Sequence, residues 1–231
     1  MNIAILGTGS VGQALANKLF ELGHTIFVGT RNVEKTLQQT EKDAWGNLPI
    51  SFWIKENLEV SLVTFKEAVK MGTDLIVFAM NGEHALSCLK SIGSNLLENR
   101  IMIDISNPLD FSNGFPPSLF VSNSDSLAEQ IQNTYPHLKV VKTLNTMSNP
   151  IMVNPKALKG DHTVFLSGNY DDAKLKVTEV LQSFGWEKHN ILDLGDISTA
   201  RGTEMFLPLW LRLFGKFQTP FFNIHLNTEK L

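Results

Sequence analysis

Residues 3–12, IAILGTGSVG, constrain the fold of this chain more than any other stretch. Four apolar residues run straight into Gly7, Thr8, Gly9, Ser10, Val11 and Gly12, so the pattern G-x-G-x-x-G falls where a strand hands over to a helix. In such a turn Gly7 permits a tight reversal, and Gly9 removes the side chain that would hold a pyrophosphate off the backbone. Gly12 lets the helix pack close on the strand. The anion then meets unpaired N–H groups at the helix start. Three spaced glycines alone occur in many loops, so their meaning depends on what surrounds them.

The glycine turn leads into an amphipathic helix, with Val11, Ala14, Leu15, Leu19 and Leu22 at three- and four-residue spacing and Gly23 as the stop. A second strand is predicted over Thr25 to Val28. Where an NAD enzyme would place a carboxylate against the ribose hydroxyls, the chain reads Gly29, Thr30, Arg31, Asn32. Thr30 offers a hydroxyl and Arg31 a fixed fork of donors, and Lys35 lies one helical turn further on. This chemistry suits a 2′-phosphate, so the expected cofactor is NADP(H).

The net charge of −3, with no basic run interleaved with aromatics, argues against a nucleic-acid surface. The single cysteine, Cys88, falls in a predicted helix and reads as a small buried apolar residue rather than a catalytic thiol. A first strand starting at Asn2 leaves no room for a signal or transit peptide, and a cytoplasmic location is expected.

Strand and helix signals continue to alternate. Leu58 to Val63 reads as a third strand, Thr64 with Glu67 as a capping box, and Asp74 to Ala79 as a strand apolar enough for the centre of a parallel sheet. That strand ends at Ala79 and Met80, where the backbone is expected to pass close to a dinucleotide. His84, in the next helical turn, either faces the cofactor or is a polar surface group. Arg100 to Ile105 delivers Ser106 and Asn107, and Leu138 to Lys142 delivers Asn145 and Thr146, again polar groups at strand ends. Asn107 either hydrogen-bonds the nicotinamide or acceptor, or belongs to an ordinary Asn-Pro turn. The segment Thr36 to Asn57, with Trp45 and Trp53, is too long for an ordinary α/β connection. It reads as a lid, a self-association patch or a structural excursion packed on the sheet. The pattern specifies an α/β fold with a doubly wound parallel sheet over residues 1–147, and a smaller carboxyl-terminal α/β lobe over 148–231.

In that lobe, Thr163 to Ser167 and Asn190 to Leu194 read as strands flanking a helix that Gly185 closes. The run Met205 to Phe214 is apolar all round except for Pro208 and Arg212, so it is expected to be buried, inside the molecule or against a second copy. It is too interrupted to span a membrane, which needs about 20 apolar residues. A homodimer is the expected assembly. The alternating tail Phe221 to Leu226 suggests an edge strand or an intersubunit arm. The histidines are scattered, and no metal-ligand cluster is visible.

With those residues in hand, the sequence resembles the NADPH-dependent reductases of the deazaflavin coenzyme F-420, whose domain also forms the reductase part of the six-transmembrane metalloreductases. The pieces that carry the likeness are GTGSVGQALA with LGH, VGTRN with Lys35, EHA at Glu83 to Ala85, SNPL at Ser106 to Leu109, KTLNT at Lys142 to Thr146, and Ser198, Arg201 and Glu204 followed by LPL. The resemblance implies that Thr8 to Gly12, Thr30, Arg31 and Lys35 hold NADP(H). It also implies that Ala79, Met80, Ser106, Asn107, Asn145 and Thr146 border the nicotinamide and the acceptor. Arg201 and Glu204 read as a salt-bridged structural pair. The Trp45 to Trp53 excursion and Asn81, which stands where that family tends to carry proline, depart from it. A deazaflavin and a flavin therefore both stand as the expected small-molecule acceptor.

Hydride transfer between stacked rings needs approximation more than a protein acid, and no catalytic triad, Cys-His pair or carboxylate dyad is visible. No catalytic side chain is therefore assigned. Two other functions are compatible with the same amino-terminal domain: reduction of a small imine or keto acid, and NADPH binding without turnover in a redox sensor.

Overall fold

The computed structural model describes residues 1–43 and 46–229. Strand β1 (Asn2–Leu6), helix α1 (Ser10–Glu21), β2 (Thr25–Thr30), α2 (Val33–Leu37), α3 (Ile50–Glu56), β3 (Ser61–Thr64), α4 (Phe65–Met71) and β4 (Leu75–Phe78) form the first half. Helices α5 (Ala85–Ile92) and α6 (Ser94–Leu97) precede β5 (Ile101–Asp104), and a two-residue antiparallel pair, β6 (Leu109–Asp110) with β7 (Ser118–Leu119), precedes α7 (Leu127–Thr134) and β8 (Lys139–Thr143). Then come α8 (Asn149–Val153), β9 (Val164–Ser167), α9 (Asp171–Phe184), β10 (Ile191–Asp193), α10 (Ala200–Met205) and α11 (Leu207–Phe217).

Eight strands make one sheet in the order β10-β9-β8-β5-β4-β1-β2-β3. Those from β3 to β8 are parallel, and the winding reverses between β1 and β4, which opens a crevice at their carboxyl ends. Side chains alternate along β1: Ile3 and Ile5 pack with Leu15 and Leu19 of α1, while Ala4 and Leu6 pack with α4, α5 and α7 on the other face. Both faces are covered, as a parallel sheet requires. The 147/148 division falls just after β8. Beyond it, β9 pairs antiparallel with β8 and β10 parallel with β9, so the carboxyl-terminal strands extend the same sheet.

The Thr64–Glu67 capping box is present at the start of α4, and Ser126 caps α7 by accepting the Glu129 N–H. Cys88 is buried, and that burial pushes its thiol up to about 12 against a smaller opposing pull from Arg31, so it is inert as a nucleophile. No helix of the described residues is long and apolar enough to cross a membrane.

The structure departs from one expectation and narrows three others. The third strand starts at Ser61, and Leu58 is 86% exposed in the turn before it. The excursion contains a helix, α3, because Ile50, Trp53 and Ile54 reach the core on the α1 face; Trp45 lies outside the described residues. The last apolar run is not buried inside the molecule. It breaks at Phe206 into α10 and α11, with Pro208 in the first turn of α11, and Leu207 is the one buried residue of that helix. The tail is not an edge strand: β9 already has β8 and β10 on its two sides, so Ile224 accepts only the Thr163 N–H (2.8 Å), before the strand begins.

Candidate functional site

The turn between β1 and α1 is shaped by what its glycines lack. At Gly7 (φ +135°) a Cβ would lie 2.3 Å from the Ala79 carbonyl oxygen, so the ends of β1 and β4 meet with no room for a side chain. At Gly12 a Cβ would lie 2.2 Å from the Gly7 oxygen, which is how closely α1 sits on its own strand. Gly9 differs: a Cβ there would meet nothing within 4 Å. It stands at the N-cap of α1, with no side-chain cap and no acidic residue in the first turn. The first N–H groups of α1 therefore face open space with the positive end of the helix dipole behind them, which suits an anion. Thr8 and Ser10 flank Gly9 at the surface, while Val11 packs against the core.

On one side of this turn, Thr8, Gly9, Thr30, Phe65, Ala79 and Met80 are among the residues around a cavity of about 230 Å³. The Thr30 hydroxyl is buried and shared with that of Thr36 (2.7 Å). Arg31 and Lys35 are exposed, with no ion pair or side-chain hydrogen bond among the described residues, and the Lys35 N–H is capped by Asn32 Oδ1 (2.8 Å). His84 is exposed and lines neither this cavity nor a larger one on the other side of the turn.

Beyond the switch point, β5 and β8 bring their polar ends together. Asn107 Nδ2 donates to the Asn145 carbonyl and Asn145 Nδ2 donates to Asn107 Oδ1, both at 3.0 Å. Between β8 and Asn145, Leu144 is held at φ +62° while 1% exposed, a left-handed conformation that a leucine adopts only where its surroundings impose it. Thr146 is buried beside it, and Ser106 is buried at the end of β5, where its N–H and hydroxyl both donate to Asp104 Oδ1 (2.9 and 2.6 Å).

Behind these residues lies a cluster that sequence reasoning missed. Lys142 Nζ reaches Asp104 Oδ2 (2.9 Å), Glu204 Oε1 (2.8 Å) and the Ser106 carbonyl (2.5 Å), and all three charged side chains are 0–2% exposed. Glu204 also accepts the N–H groups of Leu127 and Ala128 (2.8 and 3.1 Å), which start α7. Burial opposes the Lys142 charge, but Asp104 and Glu204 outweigh it and hold its pKa above the ordinary lysine value. The signal was available: Asp104 is the single charge of β5, Lys142 follows two valines in β8, and the two are register partners across these strands. Arg201 and Glu204 do not pair with each other. Arg201 forms a bidentate bridge to Glu129 (2.8 and 2.6 Å) while Glu204 turns inward, because α10 packs against the start of α7 and each finds a nearer partner there.

A doubly wound sheet with an unencumbered glycine turn at its switch point defines the dinucleotide-binding class. Within that class, residues 2–108 match the sequence model of the family described as NADP oxidoreductase, coenzyme F420-dependent. The structure of an Arthrobacter sp. FB24 protein, provisionally described as an F420-dependent NADP reductase, is 45% identical and superposes with a TM-score of 0.93, covering 99% of this chain and 100% of that one. The chain belongs to this family of NADP-dependent oxidoreductases. Rat metalloreductase STEAP3 is 28% identical over 90% of this chain, and human metalloreductase STEAP2 is 27% identical over 95%; the chain spans 37% and 38% of their lengths. An imine reductase from Myxococcus stipitatus in complex with NADP+ shares the fold alone (15% identity, TM-score 0.63, 94% of this chain and 64% of that one).

Proposed function

We propose that this chain binds NADP(H) across the carboxyl edge of the sheet and exchanges hydride between it and a flavin-type acceptor, a deazaflavin or a flavin. The observation that carries this is an open helix N-terminus at Gly9 that shares a cavity with Thr30, the residue before Arg31, whose guanidinium has no ion pair or hydrogen bond among the described residues. Gly7, Thr8, Gly9, Ser10, Val11 and Gly12 receive the pyrophosphate on backbone N–H groups. Thr30, Arg31 and Lys35 receive the 2′-phosphate. Ala79, Met80 and His84 flank the cofactor, and Ser106, Asn107, Asn145 and Thr146 border the nicotinamide and the acceptor. When bound, NADPH supplies the hydride, and a flavin-type ring completes its reduction with a proton from solvent. The chain contributes approximation: the Asn107–Asn145 pair and the ion cluster behind it hold two strand ends in one arrangement.

One experiment tests both halves. NADPH oxidation is followed with a deazaflavin, a flavin and a cyclic imine, in wild type and Arg31→Ala. Turnover is expected with the first two and not the imine. Arg31→Ala is expected to raise the KM for NADPH about tenfold or more, the loss of one charge-assisted hydrogen bond, with little change for NADH. Turnover of the imine alone, NADPH binding without turnover, or an unchanged preference for NADPH over NADH would each overturn the assignment.

We further propose that α11 packs against a second copy of the chain. Leu209, Phe217 and Phe221 are about half exposed, and Trp210 stacks on Phe214 and Phe222 (5.4 and 5.2 Å) with its indole N–H lacking a hydrogen-bond partner among the described residues. Sedimentation at micromolar concentration should give about twice the 25.8 kDa chain mass, and Leu209→Lys should shift it towards the monomer. A wild-type monomer under those conditions would refute this.

A further inference from the structure

We infer that Thr36 is a positioning residue for the 2′-phosphate of NADP(H), acting through Thr30: its hydroxyl donates to that of Thr30 and so leaves the Thr30 hydrogen free for a phosphate oxygen. This inference rests on the 2′-phosphate site proposed above and deepens it.

The two hydroxyl oxygens lie 2.7 Å apart, and Thr30 and Thr36 are 6% and 7% exposed. A hydroxyl carries one hydrogen and two lone pairs, so one of the pair donates and the other accepts. Burial decides which. Were Thr30 the donor, the Thr36 hydrogen would be left inside the protein with no acceptor, because the Thr36 hydroxyl has no hydrogen-bond partner besides Thr30 among the described residues. Buried donors are rarely left in that state. With Thr36 as donor, the one hydrogen not used within the pair belongs to Thr30. Thr30 borders the cavity of about 230 Å³ beside Thr8 and Gly9, and Thr36 does not. The spare hydrogen therefore belongs to the residue that a ligand in this cavity would meet.

This polarity matters because of what stands at the 2′ position of the two dinucleotides. A phosphate monoester near pH 7 offers negative charge and acceptor oxygens, so it needs a donor. A 2′-hydroxyl both donates and accepts, so it pairs with Thr30 in either orientation. A hydrogen held ready on Thr30 thus favours NADP(H) over NAD(H). The chain from Thr36 through Thr30 to a charged acceptor also strengthens its own links, since each hydrogen bond polarises the next. Local structure brings the pair together. The Thr36 N–H donates to the Asn32 carbonyl (3.0 Å) and the Lys35 N–H to Asn32 Oδ1 (2.8 Å), so α2 turns back on the end of β2 with Thr36 inward and Arg31 and Lys35 exposed.

The test uses Thr36→Val, which keeps the branched shape and removes the hydroxyl, and Thr36→Ser, which keeps the hydroxyl. Kd values for NADPH and NADH are read from nucleotide fluorescence, with Tm alongside. Thr36→Val is expected to weaken NADPH about fivefold, the loss of one hydrogen bond of ordinary strength, and to change NADH by less than about twofold. Thr36→Ser should keep the wild-type ratio of the two. A purely structural tie between α2 and β2 would act on both nucleotides, so equal weakening of NADPH and NADH in Thr36→Val would overturn the inference. An unchanged NADPH Kd in Thr36→Val, with Arg31→Ala still weakening NADPH, would overturn it too and leave the phosphate site standing. Equal wild-type Kd values for NADPH and NADH would remove the phosphate site itself, and this inference with it. Thr36→Ala removes the same hydroxyl with a smaller side chain and decides the question if Thr36→Val does not fold.

Discussion

Lys142→Met is expected to destabilise the fold by about 3–5 kcal/mol, the usual cost of removing one partner from a buried ion pair. The reason is what remains. Asp104 and Glu204, with side chains 0% and 2% exposed, would lose their shared cation, and the Ser106 carbonyl would lose a donor. In the wild type the Lys142 pKa lies above the lysine value of 10.5, so the stability its charge contributes is fully present below that pH. It is lost only as pH rises through the still higher folded value. In the variant the two carboxylates are buried with no cation between them. The urea midpoint at neutral pH checks this; an unchanged midpoint would show that the cluster contributes nothing. Lys142→Met/Glu204→Gln, which removes one charge of each sign, should recover part of the loss.

Gly12→Ala is expected to impair folding and cofactor binding together, whereas Gly9→Ala should impair binding alone. The added methyl at Gly12 falls 2.2 Å from a backbone oxygen, which cannot rotate away, so α1 must lift from β1 at a cost of about 1–3 kcal/mol or more. Lifting α1 also moves the N–H groups that face the proposed pyrophosphate. At Gly9 the backbone is ordinary (φ −73°) and nothing lies within 4 Å, so alanine there should fold as well as glycine. Its methyl would nevertheless stand where the anion is proposed to sit. Thermal melts with NADPH fluorescence titrations separate the two: Gly12→Ala should lower both Tm and affinity, and Gly9→Ala only affinity. Unchanged affinity in Gly9→Ala would mean that the pyrophosphate does not approach this turn.

Local pattern determined a good deal of this protein. The bend after β1, the cap at Thr64 and the basic group after β2 each depend on residues a few positions apart, so spacing and side-chain chemistry were enough to read them. The parallel order of the sheet core came from repeated alternation of strand and helix. Tertiary structure decided whatever depends on distant segments meeting. The polar residues at Asn107 and Asn145 were visible singly, but their bonding to each other required β5 and β8 to be neighbours, and the bond from Lys142 to Glu204 required α10 to return to α7. The apolar run from Met205 to Phe214 led to an expectation of burial without saying against what, since hydrophobicity has no direction. The segments at 38–43 and 47–50 follow no strand or helix period, and the packing of Ile50 and Trp53 against the core, with the Gln13 amide donating to the Leu48 carbonyl, sets them beside the glycine turn.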